Sequence, residues 1–344
     1  MDKTVTAVID NIKVKPTLGF LGVGWIGINR LNALLKEDIV NIGVLADNSE
    51  DSLLKAQELV PDAIKYLTLD EVLDSKPDGI VIATPSALHA AQALQSLNNG
   101  VAVFCQKPLT LTANEAMKVV KAAEANNLLL GVDFSYRFTE GMQIINQLFK
   151  SGAFGEIYAI DLVFHNAYGP DKKWFYNPAM SGGGCMIDLG SHLIDLALWM
   201  LDFPEVTEVS SVLFSQGKRI AIPEEETEDY GLATLQTKNG TAIQLACSWN
   251  LQAGQDAIIA ATFYGTKGGA TFRNVEGSFY NFEAYKFMAK TQRELLAKPD
   301  HEDWGGRAVI DWARKISKGD GFSREAYQYV KVAEIIDRIY NKAT

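Results

Sequence analysis

The strongest constraint on the fold is a short apolar run that leads directly into three closely spaced glycines. Residues 18–27 read Leu-Gly-Phe-Leu-Gly-Val-Gly-Trp-Ile-Gly, and apolar residues then recur at helical spacing over 26–35. Gly22 permits a tight turn, Gly24 leaves the backbone open to a ligand, and Gly27 lets the helix pack closely on the strand. The pattern predicts a strand, a turn and a helix whose N-terminus can receive a phosphate group.

Four more apolar runs follow, each separated from the next by a stretch with helical periodicity, and they cover 40–46, 79–83, 101–104 and 128–132. Continuous apolar runs between helices are typical of strands that are covered on both faces, and hence of a parallel sheet. We therefore predict an α/β fold in which residues 1–132 form a Rossmann domain, a doubly wound parallel sheet that binds a dinucleotide.

The pattern changes after residue 132. Strand-like stretches separated by short turn sequences cover 156–164, 206–213, 230–237, 241–249 and 256–264, and helical stretches cover 141–150, 189–201, 304–316 and 323–339. Consecutive strands joined by short turns favour antiparallel pairing. We predict that residues 133–344 form an α+β domain with a largely antiparallel sheet.

An acidic residue at the end of the second predicted strand extends the dinucleotide prediction. Asp47 follows Gly27 by about twenty residues, the position from which a carboxylate accepts hydrogen bonds from the adenosine ribose. Residues 48–51 are Asn, Ser, Glu and Asp, with no cation to hold a 2′-phosphate, so NAD is favoured over NADP. Asp47 as a plain turn residue is the alternative. The expected cofactor contacts of this region are Gly22, Gly24, Trp25, Ile26, Gly27, Asp47 and Asn48.

Charge and composition exclude several classes of protein. The formal net charge is −10, and no run of Lys and Arg supplies the positive field that nucleic-acid binding requires. No apolar stretch approaches the roughly 18 residues of a membrane span. Three cysteines far apart in sequence exclude a disulfide framework and a CxxC metal site. The first seventeen residues lack the apolar segment of a secretion signal, so we expect a cytoplasmic protein with no nucleic-acid or membrane partner.

Three further segments complete a recognisable pattern. Residues 83–89 read Ala-Thr-Pro-Ser-Ala-Leu-His, residues 105–109 read Cys-Gln-Lys-Pro-Leu, and residues 181–195 read Ser-Gly-Gly-Gly-Cys-Met-Ile-Asp-Leu-Gly-Ser-His-Leu-Ile-Asp. In this order and spacing they resemble the glucose–fructose oxidoreductase/inositol dehydrogenase (Gfo/Idh/MocA) family, over about residues 17–340. The glycine-rich third segment together with the Lys-Pro pair is specific.

The resemblance implies oxidation or reduction at an oxygen-bearing carbon of a sugar, cyclitol or related polyol. It implies an open second sheet that forms contacts in a homo-oligomer, a dimer or tetramer, and it implies no metal. By matching position, Lys107 is the family's catalytic lysine, with Asp188 and His192 as its acid/base and substrate-orienting pair. The residues expected along the cofactor are Ala83, Thr84, Pro85, His89, Gln106 and Lys107.

One residue departs from the family pattern. The family usually has Glu before the lysine, whereas this chain has Gln106. Glutamine keeps a carbonyl acceptor for a ribose hydroxyl but removes a negative charge beside Lys107.

The residues themselves also suit this chemistry. Histidine suits proton transfer to or from a substrate hydroxyl near neutral pH. On a helix, Asp188, His192 and Asp195 share one face, so one carboxylate is a candidate for binding the substrate and the other for fixing the imidazole. For Asp195 a supporting or structural role is favoured. The glycines at 182–184 are expected to let a ligand approach the backbone. The alternatives are a helix N-cap for Asp188, a structural histidine and a surface lysine.

Other residues are weaker candidates for substrate binding. Tyr136 and Arg137 follow the fifth predicted strand at the edge where open α/β sheets place ligands. His165 and Trp174 lie in a polar, aromatic stretch that suits a sugar face. A surface ion pair for Arg137 and core packing for the aromatic residues are the alternatives. Trp25 either packs near a nicotinamide or covers the start of its helix.

Three functions remain open from sequence. The first is a polyol or sugar dehydrogenase, acting in either direction. The second is a redox-neutral glycosidase, lyase or epimerase that uses tightly held NAD for a transient oxidation. The third is a non-catalytic NAD-binding sensor, which the presence of Lys107 and His192 disfavours.

Overall fold

In the computed structural model, residues 15–223, 225–301 and 304–341 are described, with Trp304 described by its backbone alone. Residues 1–14 lie outside the described residues. They include most of the segment on which the expectation about a secretion signal rests, and they begin the first predicted domain. Among the described helices, none is both long and apolar enough to cross a lipid bilayer.

The first part of the chain forms a parallel six-stranded sheet in the order β3-β2-β1-β4-β5-β6. Its strands are β1 (Thr17–Leu21), β2 (Asn41–Ala46), β3 (Ile64–Tyr66), β4 (Gly79–Ile82), β5 (Ala102–Cys105) and β6 (Leu130–Val132). The predicted doubly wound fold is confirmed, with the strand order reversing between β1 and β4. A crevice outside the carboxyl ends of the strands at this reversal is where such sheets bind ligands.

Helices join these strands and cover both faces of the sheet. They are α1 (Trp25–Glu37), α2 (Glu50–Leu59), α3 (Leu69–Asp74), α4 (Ser86–Asn98) and α5 (Ala113–Ala125). Because apolar neighbours lie on both sides, β4 and β5 are buried over their whole length. This burial explains why the sequence shows uninterrupted apolar runs there.

The second part contains a nine-stranded sheet in the order β15-β14-β13-β12-β7-β11-β10-β8-β9. Its strands are β7 (Ile157–Asn166), β8 (Val206–Ser215), β9 (Lys218–Arg219), β10 (Tyr230–Thr237), β11 (Ala242–Ser248), β12 (Ala257–Gly265), β13 (Gly269–Asn274), β14 (Phe282–Ala289) and β15 (Gln292–Ala297). Only the pairing of β7 with β11 is parallel in the described sheet, so the predicted antiparallel character is confirmed.

The remaining helices are α6 (Glu140–Lys150), α7 (Pro178–Ser181), α8 (Ser191–Met200), α9 (Trp304–Lys318) and α10 (Tyr327–Ile339), with short 3₁₀ turns at Ser135–Phe138, Lys173–Tyr176 and Arg324–Ala326. A five-residue π-helical turn, Met186–Gly190, leads directly into α8.

Helix α9 returns from the end of the chain to the first sheet. Its Val309, Trp312 and Ala313 belong to the same buried cluster as Leu18 and Phe20 of β1. The ring of Trp312 lies 5.7 Å from a ring in β5, that of Phe104. The packing of the first sheet is therefore completed by residues from the far end of the described chain, since Val309 lies about 290 positions after Leu18.

Candidate active site and dinucleotide cleft

The glycine loop has the geometry of a diphosphate cradle. Gly22 has φ +88° and donates its N–H to the Ala46 carbonyl at 2.8 Å. A Cβ on Gly27 would lie 2.1 Å from the Gly22 carbonyl oxygen, whereas a Cβ on Gly24 would meet no protein atom within 4 Å. Gly24 begins α1 with no side-chain cap, so the first-turn N–H groups of α1 remain available to an anion. The loop therefore fits a dinucleotide.

Asp47 fixes the adjacent wall of this cleft. Its two carboxylate oxygens accept from the backbone N–H groups of Val23 and Ser49, each at 2.8 Å. Ser49 caps α2, whose first turn carries Glu50 and Asp51. Asn48, which lies between Asp47 and Ser49, is exposed. The wall beside the loop is therefore acidic.

The segment after β4 approaches the glycine loop from the other side of the crevice. The Ala83 N–H donates to the Leu21 carbonyl at 2.8 Å, and the Thr84 hydroxyl donates to the Gln92 side chain at 2.6 Å. Pro85 precedes α4 as its N-cap residue. Trp25, at the mouth of the loop, is 69% exposed, and Ile26 is half-buried.

His89 was expected along the cofactor, but it is buried between two protein carbonyl groups. It is 1% exposed, and its two ring nitrogens lie 2.7 Å from the Pro108 carbonyl and 2.8 Å from the Thr84 carbonyl. Burial lowers the pKa of His89, the two carbonyl contacts oppose that change, and Lys107 adds to it. Because both nitrogens face protein carbonyls, His89 ties the segment after β4 to the segment after β5, and it reaches a cofactor only through them.

Lys107 and Asp188 meet across the two parts of the molecule. The Lys107 ammonium lies 2.5 Å from the Asp188 carboxylate oxygen Oδ1 and also donates to the Asp188 main-chain carbonyl at 2.8 Å. The indole Nε1–H of Trp249, directly after β11, donates to the other carboxylate oxygen at 3.2 Å. Asp188 lies in the π-helical turn, a distortion that frequently marks functional sites. The carboxylate is thus held from both sides, and its side chain does not serve as a helix cap.

His192 lies four residues further on, in the first turn of α8. It is 6% exposed, and its Nδ1 is buried with no hydrogen-bond partner among the described residues. The Tyr136 ring packs edge-on against the imidazole at 5.1 Å, and the Phe134 ring at 6.3 Å. Burial lowers the pKa of His192 well below its usual range, and the positive charges of Lys107 and Arg30 lower it further. The imidazole is therefore neutral at pH 7.

Asp195 does not hydrogen-bond to His192 among the described contacts, and it has the structural role that the sequence favours for it. Asp195 instead pairs with Arg137, which donates through Nε at 2.5 Å and through Nη2, while Nη1 donates to Gln328 at 3.0 Å. Arg137 was expected among the substrate contacts, but its guanidinium is used in this buried ion pair. A guanidinium can form two parallel hydrogen bonds with one carboxylate. Burial raises the pKa of Asp195, and the charge of Arg137 and its hydrogen bonds oppose that change.

The glycines at 182–184 serve protein packing instead of ligand approach. A Cβ on Gly184 would lie 1.9 Å from the Glu228 carbonyl oxygen, and one on Gly183 would lie 2.2 Å from the Tyr340 hydroxyl. The Glu228 carboxylate accepts from the N–H of Gly184 at 2.9 Å and from that of Met186 at 2.7 Å. This buried carboxylate satisfies the N-terminus of the π-helical turn that carries Asp188.

The aromatic candidates lie near Trp249, His165 on β7 of the second sheet and Trp174 in the 3₁₀ turn Lys173–Tyr176. His165 contacts the Ser248 hydroxyl through Nδ1 at 2.8 Å and stacks on Tyr230 at 5.7 Å. Trp174 stacks on Phe175 at 3.8 Å, and Phe175 packs edge-on against Trp249 at 6.2 Å. These contacts connect the polar, aromatic stretch to the indole that holds Asp188.

Four residues that hold or adjoin the candidate site residues were absent from the sequence prediction. They are Arg30, Asp133, Trp249 and Glu228. A signal existed for Asp133, since it directly follows a strand of the parallel sheet, at a position where polar groups often reach a cleft. Trp249 follows a strand of the second sheet, and its position carries no such signal. No local pattern marks Arg30 or Glu228, because their partners are distant in sequence.

Comparison with known families identifies the fold. A family model described as the oxidoreductase family with an NAD-binding Rossmann fold matches residues 17–134, and the GFO/IDH/MocA C-terminal domain matches residues 142–271. The chain belongs to the Gfo/Idh/MocA family. The resemblance inferred from three short segments is confirmed, and with it an NAD-binding oxidoreductase fold in two parts.

Similar Gfo/Idh/MocA proteins include sugar and cyclitol dehydrogenases. D-Glucoside 3-dehydrogenase of Escherichia coli (strain K12) is 29% identical over 240 residues, 67% of this chain and 68% of that protein. Inositol 2-dehydrogenase of Gluconacetobacter diazotrophicus is 28% identical over 70% of this chain and 69% of its own length. The rhizopine catabolism protein MocA of Rhizobium meliloti is 28% identical, over 56% of its length.

Solved structures of the same fold extend over nearly the whole chain. Levoglucosan dehydrogenase in complex with NADH and levoglucosan superposes with a TM-score of 0.79 at 20% identity, covering 95% of this chain and 97% of that one. A 3-ketoreductase from Actinomadura kijaniata in complex with NADP and TDP-benzene gives 0.80 at 20% identity, covering 95% and 98%. At this identity the match establishes the fold.

Proposed function

We propose that this protein oxidises or reduces one carbon, between carbinol and carbonyl, in a sugar, cyclitol or related polyol. The observation that carries the proposal is the ion pair of Lys107 with Asp188, four residues from a buried, neutral imidazole, beside a loop that fits a dinucleotide. The dehydrogenases among the similar family members support the substrate class.

A bound nicotinamide dinucleotide supplies the hydride acceptor or donor for this chemistry. In the oxidising direction His192 takes the proton from the substrate hydroxyl, which its lowered pKa permits at neutral pH. The Lys107 ammonium stabilises the negative charge that develops on the same oxygen. Asp188 orients Lys107, and Trp249 orients Asp188. In the reducing direction the imidazolium returns the proton.

NAD is the dinucleotide that we propose for this site. Both oxygens of Asp47 are held at the cleft wall by backbone N–H groups, and Glu50 and Asp51 follow in the next helix. A 2′-phosphate placed there would meet like charges with no arginine or lysine between residues 47 and 51. Equilibrium binding of NADH and NADPH, followed by nicotinamide fluorescence, tests this preference. Tighter binding of NADPH would overturn it.

A substrate screen tests the reaction. Inositols, aldoses and their keto forms are offered with NAD or NADP, and reduced nicotinamide is followed by its absorbance. We expect turnover of at least one polyol or keto-sugar, and His192→Ala should lower it by about 10²–10⁴-fold. Conversion of a glycoside or epimer without net change in reduced nicotinamide would instead assign the redox-neutral function. Dinucleotide binding without any conversion would assign the sensor.

We also propose a homo-oligomer formed through the second sheet, as the family resemblance implies. Tyr158 of β7 and Leu295 of β15 are 57% and 50% exposed in the described single chain, so this sheet carries uncovered apolar side chains. Light scattering after size exclusion measures the mass of the particle. A mass equal to one chain would contradict the proposal.

A further inference from the structure

Behind the candidate active site, one carboxylate oxygen receives three donors. Oδ2 of Asp133, directly after β6, accepts from Arg30 Nε at 2.5 Å, from Arg30 Nη2 at 2.5 Å and from Gln106 Nε2 at 2.6 Å. The three side chains come from α1, from the end of β5 and from the end of β6, and they are 2%, 6% and 1% exposed for Arg30, Gln106 and Asp133. The group is buried and its single negative charge matches a single positive charge.

The carboxylate determines which way the Gln106 amide is turned. An ionised carboxylate only accepts hydrogen bonds, so the amide nitrogen must face Asp133. The reverse orientation would place two acceptor oxygens 2.6 Å apart. The carbonyl oxygen of Gln106 is consequently turned away from Asp133, on the residue that precedes Lys107.

A charged residue at position 106 is incompatible with this arrangement. Glutamate would place a second carboxylate against Asp133 with only one guanidinium to balance both, so repulsion raises the pKa at which this pair loses its last proton. The glutamate that the family pattern leads one to expect at this position would meet Asp133. The glutamine is thus explained by a partner 27 residues away in sequence.

The same ion pair acts on the imidazole. Arg30 is one of the positive charges that lower the pKa of His192, after burial and Lys107. The described groups around the imidazole are Lys107 from the segment after β5, Arg30 from α1, Phe134 directly before the 3₁₀ turn and Tyr136 within it. A change in charge at position 106 or 133 therefore reaches the proposed proton acceptor as well as the cofactor side.

We propose that Asp133, together with Arg30, is a positioning residue of the dinucleotide site. It orients the Gln106 amide so that its carbonyl oxygen accepts a hydrogen bond from the bound dinucleotide, and it does so only while position 106 is uncharged. This proposal rests on the proposed function.

The decisive variant is Gln106→Glu, measured by the Kd for NADH and by the Tm of the dinucleotide-free protein. At about pH 8 the two carboxylates repel, and we expect binding about tenfold weaker than in the wild type and a lower Tm. At about pH 5.5 the neighbouring carboxylate keeps a proton on the new side chain, which donates it to Asp133 as the amide does, and binding recovers to within about twofold of the wild type at that pH.

Two further variants separate positioning from general damage. In Gln106→Glu combined with Asp133→Asn, the carboxylate pair is gone, and we expect near wild-type binding with no pH dependence relative to the wild type. Gln95→Glu is the matched control, because Gln95 also donates to a carboxylate, that of Asp70, but at an exposed position. Solvent screens that pair, so the control should bind and melt like the wild type at both pH values.

The outcomes are distinct. Equal binding by Gln106→Glu and wild type at both pH values overturns the proposal, and so does a defect that is the same at both pH values or persists in the double variant. If Gln106→Glu does not fold, Gln106→Met replaces it. This variant removes the carbonyl acceptor without adding charge, and it should weaken binding equally at both pH values. A wild-type protein that binds no dinucleotide overturns the proposed function itself.

Discussion

His192 illustrates how much a single residue depends on its surroundings. In water an imidazole is half protonated near pH 6.5, and a protonated imidazole cannot accept a proton from a substrate. Here the Tyr136 and Phe134 rings exclude water from the imidazole, and two cations lie close enough to oppose its protonation. The neutral base is thus produced by packing, before any ligand binds.

Replacing this imidazole tests its role directly. We expect His192→Ala to lower kcat by about 10²–10⁴-fold, the usual contribution of a general acid or base. The Kd for NADH should remain within about twofold, because the substitution leaves the glycine loop unchanged. Steady-state kinetics and fluorescence titration measure the two quantities. Unchanged turnover on the true substrate would show that another group transfers the proton.

The Trp249 indole provides a finer test of how Asp188 is oriented. Trp249→Phe keeps the ring but removes the N–H that donates to Asp188. The loss of one hydrogen bond to a charged group should lower kcat about tenfold, which corresponds to about 1.4 kcal/mol. Trp199→Phe is the matched control, since Trp199 lies near the end of α8 and makes no described contact with Asp188. Equal losses in both variants would contradict a specific role for the indole hydrogen bond.

At the scale of elements, two glycines of the same loop lack a side chain for different reasons. Gly27 is required by the protein, since any Cβ there collides with the Gly22 carbonyl. Gly24 has no such neighbour, so its requirement arises only when a ligand lies against the loop. The two positions lie three residues apart on the same strand–turn–helix unit.

This difference predicts opposite results for two substitutions. Gly24→Val should weaken NADH binding by at least about tenfold with little change in Tm, because its side chain occupies the space of the diphosphate. Gly27→Ala should lower the Tm of the dinucleotide-free protein, because its methyl group displaces the turn. Thermal melts with and without NADH provide both measurements. Unimpaired NADH binding by Gly24→Val would show that the diphosphate does not bind at this loop.

The elements that sequence predicted are those with a strong local pattern. The strands β1, β2, β4, β5 and β6 were found because they are apolar runs buried on both faces. The strand β3 was missed, since it has three residues and its Ile64 is 54% exposed. The strands β13, β14 and β15 were also missed, because polar residues interrupt their apolar pattern and tertiary pairing decides their conformation.

The candidate site shows the same division. Lys107, Asp188 and His192 stand in short motifs, and the structure brings the first two into contact and the third close by. Their partners do not follow from local sequence. Asp195 shares a helical face with His192, yet Arg137 pairs with it from a turn that precedes it by 58 residues. Spacing along a helix identifies possible neighbours, but the packing of other elements selects the actual one.

At the scale of the whole molecule, buried histidines link stability to pH. Burial lowers the pKa of His89, His165 and His192. Below about pH 6.5 the unfolded chain therefore binds protons at these positions that the folded chain does not bind. The folded state loses stability as the pH falls through this range, and it gains nothing from these groups above it.

The corresponding measurement is the Tm between about pH 7.5 and about pH 5.5. We expect the wild type to melt at a lower temperature at the acid end, with each such histidine contributing at most about 1.4 kcal/mol per pH unit. His192→Gln should show a shallower dependence, because its side chain does not titrate. Asp195 and Glu228, whose pKa burial raises, act in the opposite sense in both proteins and cancel in the comparison. Identical slopes would contradict the burial of a neutral His192.

The return of α9 to the first sheet has a consequence for the order of assembly during synthesis. As the ribosome releases the chain, all six strands of the first sheet emerge before residue 135, but Val309, Trp312 and Ala313 emerge only near the end. Until then the apolar side chains that these residues cover, among them Leu18 and Phe20, lack part of their final packing. The cofactor-binding half of a nascent chain consequently stays incomplete, and vulnerable to wrong association, until translation is nearly finished.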